Sequence, residues 1–100
     1  MFLLIAAAQL SVTDLQDLHC VYVFQTAATA LKGDERSTIY SIEQWFAGRL
    51  SARQPKLNVS NYVTEHFIFR KVQVGDADVT QCSQIFTDWE AADIAGKEHK

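Results

Sequence analysis

Apolar residues recur at helical spacing in four stretches of the chain, and turn-forming residues separate these stretches. In the first stretch, capping patterns at Ser11-Val-Thr-Asp14 and Thr13-Asp-Leu-Gln16 favour a helix start near Thr13. Gly33 stands where a left-handed residue commonly ends a helix, which predicts a first helix over residues 13–32. Its apolar stripe consists of Cys20, Val21, Phe24, Ala27, Ala28 and Leu31.

The second and fourth stretches show the same periodicity. Acidic residues 34–35 precede the second stretch and Pro55 follows it, which predicts a helix over residues 36–53. Its stripe consists of Ile39, Ile42, Trp45, Phe46 and Leu50. The capping pattern Asp78-Val-Thr-Gln81 predicts a last helix over residues 77–97. Its stripe consists of Val79, Cys82, Ile85, Phe86, Trp89 and Ala92.

The third stretch has two interpretations. Asn58 or Ser60 could cap a helix over residues 59–74 that stops at Gly75. The segment FIFRKVQV, residues 67–74, is instead rich in β-branched and aromatic residues and alternates like a strand. We expect the helix, because an isolated strand pair is marginally stable and the flanking signals are helical. The expected fold is therefore all-α, one domain of about four helices, with an α+β fold containing a strand at 67–74 as the alternative.

Composition is typical of a small globular domain. The 100 residues are 48% hydrophobic with one Pro and four Gly, which suffices for a single core and argues against a disordered chain. The formal net charge of −3 argues against nucleic-acid binding, which needs an excess of Lys and Arg on one face. A helix-turn-helix is also disfavoured, because residues 58–74 carry Arg70 and Lys71 only at the far end of the would-be recognition helix. We expect no nucleic-acid partner.

The opening residues MFLLIAAAQL look like the remnant of an export signal. The apolar run Phe2–Ala8 is far shorter than the roughly 20 residues of a membrane span, so no transmembrane segment is expected. Three alanines at 6–8 suit a signal peptidase, although the usual basic start is missing. We expect residues 1–10 to be a signal-peptide remnant and residues 11–100 to form the helical domain. If the ten residues are retained, they should cover apolar surface of the other helices.

Cys20 and Cys82 lie on the apolar stripes of the first and last predicted helices, without C-x-x-C or zinc-type His/Cys spacing. In an oxidising compartment they could form a disulfide, which chain-entropy arithmetic values at roughly 4 kcal/mol for a loop of this length. In the cytosol they would be two reduced core cysteines. We expect the disulfide in a periplasmic or secreted protein, with a cytoplasmic location as the alternative.

The polar residues show no catalytic constellation. His19 points about 100° away from Cys20 on a helix, which excludes a nucleophilic pair of these neighbours. His19 could meet His66 or Glu65 in space and form an acid/base or metal site, but three histidines without regular spacing are more simply ordinary ones. We expect no catalytic residue, no metal site and no cofactor, and an enzyme or metal site using His19 and His66 is the least favoured alternative.

The segment EQWFAGRLSARQP, residues 43–55, is the most distinctive part of the chain. Trp45 and Phe46 are adjacent, so at most one can sit at the centre of the core face. The other is a candidate for a partner surface, where large aromatic residues are enriched. Gly48 costs about 1 kcal/mol inside a helix, which fits a close approach of another backbone. We expect Trp45, Phe46, Arg49 and Arg53 to form an interaction surface for a protein partner or for a homodimer.

The layout resembles that of small uncharacterised helical proteins of proteobacteria. The resemblance rests on GRL-x-x-R-x-P at residues 48–55 and on the positions of Cys20 and Cys82. It implies a helical, exported protein and carries no function with it. In size and single-disulfide helical layout the chain also resembles the periplasmic acid-stress chaperones of the HdeA type, by architecture only.

These observations lead to a functional expectation. The chain should be a non-enzymatic interaction or stress-protective protein of the cell envelope or periplasm, acting through apolar surface on its second helix. The alternative is a cytosolic helical regulator or complex subunit with reduced cysteines.

Overall fold

Four helices make up the part of the chain that the computed structural model describes, residues 10–98, with side chains described for residues 10–92. Helix α1 spans Val12–Ala28 and α2 spans Gly33–Arg53. Helix α3 spans Val59–Val63 and continues as a π-helical turn over Thr64–Ile68, and α4 spans Asp76–Glu98. These residues contain no strand, which confirms the all-α prediction. The predicted signal remnant lies outside the described residues except for Leu10, which packs against the core.

A capping box fixes the start of α1. The Ser11 hydroxyl accepts a 3.0 Å hydrogen bond from the Asp14 N–H, and Asp14 Oδ2 accepts one of 3.0 Å from the Ser11 N–H. The two backbone N–H groups, which have no partner within the helix, are thereby paired reciprocally with side-chain oxygens. Of the two predicted boxes, the first therefore caps the helix, and Thr13 lies inside it.

Helix α1 is the centre of the fold and contacts α2, α3 and α4. Its middle segment, Cys20–Phe24, is buried on successive residues and not on one stripe alone. A helix that is apolar over most of its circumference is stable only when neighbours surround it. The core is completed by Leu18 and Ala28 of the same helix and by Phe46, Leu50, Val63 and Cys82 of its neighbours.

The first helix ends earlier than predicted, at Ala28 and not at residue 32. The Arg36 guanidinium donates from Nε to the Ala28 carbonyl oxygen at 3.0 Å, satisfying one acceptor at the end of the helix. Gly33 has a φ of 60°, as expected of a left-handed glycine, but it begins α2 and does not end α1. A side chain eight residues away thus satisfies a carbonyl at the point where α1 stops.

The third segment differs from both of its interpretations. Asn58 caps α3 by accepting from the Asn61 N–H at 2.9 Å, but the helical turns end at Ile68 and not at residue 74. The strand alternative at 67–74 is wrong, because Phe67 and Ile68 are helical and Lys71 turns the chain with a φ of 53°. The strand-like alternation has a different origin: the loop residues Val72 and Val74 pack against the core while Gln73 is exposed.

Helix α4 begins at Asp76, one residue before the prediction. Asp78 is not the capping residue at its start. Its Oδ2 reaches back to accept a 2.9 Å hydrogen bond from the Gly75 N–H, within the first turn. None of the helices in the described residues is long and apolar enough to cross a membrane.

Candidate functional site

The disulfide between Cys20 and Cys82 joins the middle of α1 to α4, as predicted. The two Cα atoms are 5.6 Å apart, and both residues are buried in the core. The bridge closes a loop across a separation of 62 residues, which the chain-entropy argument values at roughly 4 kcal/mol. It therefore anchors α4, whose other described core-packing residues, including Val79 and Phe86, are only partly buried.

Phe46 does not belong to the predicted interaction surface. Its side chain is fully buried and stacks on Phe24 of α1, with ring centroids 5.8 Å apart. The prediction failed here because two adjacent aromatics allow either one to face the core, and the contact with α1 selects Phe46. Trp45 is partly buried and packs edge-on against Phe46 and Phe86, at 4.8 and 4.9 Å.

Arg49 lies between two indole rings. Its guanidinium carbon is 4.7 Å from the ring centroid of Trp45 on α2 and 4.3 Å from that of Trp89 on α4. Each contact is a cation–π interaction, which contributes about 0.5–1 kcal/mol at exposed sites and more when it is desolvated. The stack connects the last turns of α2 to α4, and 53% of the Trp89 surface stays exposed.

A groove of about 470 Å³ runs along this stack, lined by Trp45, Arg49, Phe86, Trp89 and Glu90. We call it the Trp89 groove. It combines apolar ring surface with one basic and one acidic side chain. Arg49 also forms an ion pair with the buried Asp17, whose Oδ2 lies 3.9 Å from its Nη2, and its buried Nη1 has no hydrogen-bond partner.

Arg53 belongs to a charge cluster and not to a free surface. Its Nε donates to Asp14 Oδ1 at 2.8 Å and its Nη2 donates to Asp17 Oδ2. Both carboxylates are buried, and Gln54 adds a 2.9 Å bond to Asp14 Oδ2. The cluster joins the start of α1 to the end of α2, where the fork of an arginine can serve two acceptors.

The cluster shifts the pKa values of Asp14 and Arg53. The Ser11 backbone N–H and then the Arg53 guanidinium hold the pKa of Asp14 well below its usual range, and their effect outweighs burial. Asp17 and Asp14 in turn raise the pKa of Arg53. No local sequence pattern predicts this cluster: the capping pattern accounts for Asp14 alone, and the arginines were expected on a partner surface.

Gly48 occupies open space. A Cβ atom added there would meet nothing within 4 Å, and the residue is exposed. The expected close approach of another backbone is therefore wrong for the described residues.

His19 and His66 are not brought together into a site. His66 stacks on Tyr62, with ring centroids 3.9 Å apart, and its Nδ1 is 3.2 Å from the Tyr62 carbonyl oxygen. His19 faces α4 instead, where its Nε2 is 3.7 Å from Asp78 Oδ1. The alternative of an acid/base or metal site shared by His19 and His66 has no support in these contacts.

Glu43 was also missed by sequence reasoning. Its Oε1 is buried without a hydrogen-bond partner, and burial raises the pKa of this carboxyl. It lies in a cleft of about 430 Å³ between α1, α2 and α3, whose wall includes Val21, Ala47 and Val63. A glutamate at an exposed-looking helix position carries no sequence signal of burial.

Comparison of the chain with protein-family models, curated proteins and solved structures found no match. The resemblance to proteobacterial helical proteins, drawn from residues 48–55 and the two cysteines, therefore stays a prediction.

Proposed function

We propose that the chain is a non-enzymatic interaction protein of an oxidising compartment, the cell envelope or periplasm, and that it acts as a homodimer through the Trp89 groove. The disulfide supports the compartment, because such bridges persist in oxidising environments and are rare in the cytosol. The bridge also ties α4 to α1, and α4 supplies one wall of the groove.

The observation that carries the dimer is the half-exposed Trp89, stacked on Arg49 in a groove that also contains Glu90. A two-fold interface places the same patch on both copies, so residue i of one meets residue j of the other and the reverse. A groove with one basic and one acidic side chain is complementary to itself. Arg49 of each copy can therefore pair with Glu90 of the other.

The aromatic content of the groove fits this role. Tryptophan and arginine are enriched among the residues that contribute most to binding energy in protein interfaces. Trp89 is half exposed and already fixed on one face by Arg49, so little side-chain entropy would be lost when a second copy covers it. Among the described residues, Val12 and Phe69 add further exposed apolar surface outside the groove.

Sedimentation velocity of the oxidised full chain over a wide concentration range tests the proposal. We expect a reversible monomer–dimer equilibrium that Trp89→Ala weakens at least tenfold, a loss of about 1.4 kcal/mol and more than most interface residues contribute. Glu90→Lys should weaken it similarly by placing like charges opposite each other. The matched control is Glu65→Lys, an exposed charge reversal on the π-helical turn, which should dimerise like the wild type. A wild type that stays monomeric, or equal effects of the two charge reversals, would rule out this interface.

A further inference from the structure

A histidine and an aspartate lie beside the disulfide. One ring nitrogen of His19 and the sulfurs of Cys20 and Cys82 all lie within 4.8 Å of one another. His19 Nε2 is 3.7 Å from Asp78 Oδ1, and the two side chains are 32% and 34% exposed. The sulfurs are buried below, so the group has one buried side and one side that reaches solvent.

In the oxidised protein this group has no metal-binding chemistry. Zinc takes cysteine as thiolate, and in the disulfide both sulfurs are bonded to each other. Reduction changes that. A dithiol reductant supplies two electrons and two protons, the sulfur–sulfur bond breaks, and the reductant becomes a disulfide. The chain is left with two thiols beside an imidazole.

We propose that reduction of the disulfide turns this group into a zinc site. His19, Cys20 and Cys82 are the ligands, and Asp78 is a positioning residue for His19. Binding of the metal releases the two thiol protons and forms two zinc–thiolate bonds, so charge and atoms balance. Water completes the coordination, as in zinc sites with three protein ligands.

The distances suit such a site. With zinc–sulfur bonds of about 2.3 Å and zinc–nitrogen bonds of about 2.0–2.1 Å, ligand atoms around a tetrahedral ion lie roughly 3.3–3.8 Å apart. The His19 nitrogen lies within 4.8 Å of both sulfurs, so it has to move by about 1 Å at most to reach that range. The required change is a separation of the sulfurs by side-chain rotation, while α1 and α4 keep their packing. His19 and Cys20 diverge on the helix, but the imidazole is long enough to reach over to the sulfurs.

Asp78 Oδ1 lies 3.7 Å from His19 Nε2, so the proposed site uses Nδ1 as the metal ligand and leaves Nε2 to Asp78. Zinc-binding histidines commonly direct their second nitrogen to a carboxylate, which fixes the tautomer and the ring orientation. Asp78 is itself held at the start of α4 by the Gly75 N–H. The result is a redox-gated site: the oxidised chain is cross-linked and metal-free, and the reduced chain is joined between α1 and α4 by zinc. The inference does not depend on the proposed dimer.

Zinc titration of the full chain in competition with a chromophoric chelator tests the site, with and without prior reduction by a phosphine. We expect no binding by the oxidised chain and one zinc per reduced chain with a Kd on the order of 0.1 μM or tighter. His19→Gln should weaken binding at least tenfold. His66→Gln, a histidine outside the group, should leave the affinity unchanged. Absence of binding by the reduced chain, or equal affinities of these two variants, would overturn the proposal.

Two further readouts separate a folded site from a loose pair of thiols. Zinc should raise the thermal midpoint of the reduced wild type, and at the same zinc concentration it should raise that of reduced His19→Gln less, because stabilisation by a ligand of the folded state depends on its affinity. Binding without a rise in the wild-type midpoint would overturn the site. With Co²⁺ as the probe, Asp78→Asn should keep the thiolate charge-transfer bands but alter the ligand-field bands, with affinity about tenfold weaker. An unchanged spectrum and affinity would overturn the role of Asp78.

Discussion

Arg53, near the end of the second helix, donates a 2.8 Å hydrogen bond from Nε to Oδ1 of the buried Asp14 in the first turn of α1. Its second donor serves Asp17, so one guanidinium satisfies two buried carboxylates. A buried ion pair is not in itself strongly stabilising, since desolvation offsets much of the attraction. Removal of one partner is costly, however, because the other charges stay buried. The cluster therefore specifies how α1 and α2 are aligned.

Replacement of Arg53 should expose this dependence. Arg53→Met removes the nearest cation of both buried carboxylates, and we expect the free energy of unfolding to fall by about 2 kcal/mol. This is less than for a fully buried pair, because 35% of the Arg53 side chain is exposed and Arg49 remains beside Asp17. Urea denaturation of the oxidised protein measures this loss. The matched control is Arg70→Met, an exposed arginine, which should change stability by less than about 0.5 kcal/mol. Equal losses in the two variants would show that the cluster has no special role.

The cluster also predicts a sensitivity to acid. The native pKa of Asp14 is lowered, so the unfolded chain binds more protons than the native one as the pH falls. Its stabilisation is fully present above the unfolded pKa, about 3.9 for aspartate, and is lost as the pH falls below that value. The effect is on the order of 2 kcal/mol. Denaturation curves between neutral pH and about pH 2 should show a steeper decline for the wild type than for Asp14→Asn, and parallel declines would contradict the assignment.

Glu43 should show the opposite pH dependence. Burial raises its native pKa. The free energy of unfolding therefore falls as the pH rises from the ordinary glutamate pKa through the native value. Glu43→Gln should therefore raise stability at neutral pH by up to about 1 kcal/mol, the low end of the cost of an unsatisfied buried group. Below the ordinary glutamate pKa the difference should shrink, because both side chains are neutral. Glu65→Gln, at an exposed position, is the control, and a gain independent of pH would refute the explanation.

Gly48 and Gly33 should respond in opposite ways to alanine. Gly48 is exposed in the interior of α2 with open space around it, so Gly48→Ala should stabilise the protein by about 0.5–1 kcal/mol through helix propensity. Gly33 has a φ of 60°, where a Cβ atom is strained, so Gly33→Ala should destabilise it by about 1 kcal/mol. Thermal unfolding of the two variants checks both signs, and stabilisation by both would contradict the structure.

Much of the fold follows from local patterns in the sequence. The division into about four helices, the cap at Ser11 and the facing positions of Cys20 and Cys82 follow from local or periodic features, and the structure confirms them. The end of α1 does not follow from such a pattern. Residues 29–32 include good helix formers, yet the helix stops where Arg36 reaches the Ala28 carbonyl oxygen.

The candidate site was harder to predict from the sequence, because the residues that contact each other there are far apart in the chain. Asp14 and Asp17 are buried only because Arg53 meets them across separations of 39 and 36 residues. The choice between Trp45 and Phe46 depends on where Phe24 lies. Trp89 was assigned to the core stripe of the last helix, and only the packing of α4 against Arg49 reveals it as half exposed.

The state of the two cysteines in the native host is the most direct test of the account, because the bridge supports both the oxidising compartment and the position of α4. Cells are treated with a thiol-alkylating reagent before lysis, and the intact mass of the protein is measured with and without reduction. We expect the unreduced chain to carry no alkyl group and to be lighter by two hydrogen atoms than the dithiol, and to accept two alkyl groups only after reduction. A protein alkylated on both cysteines before reduction would contradict the central claim and favour the cytosolic alternative.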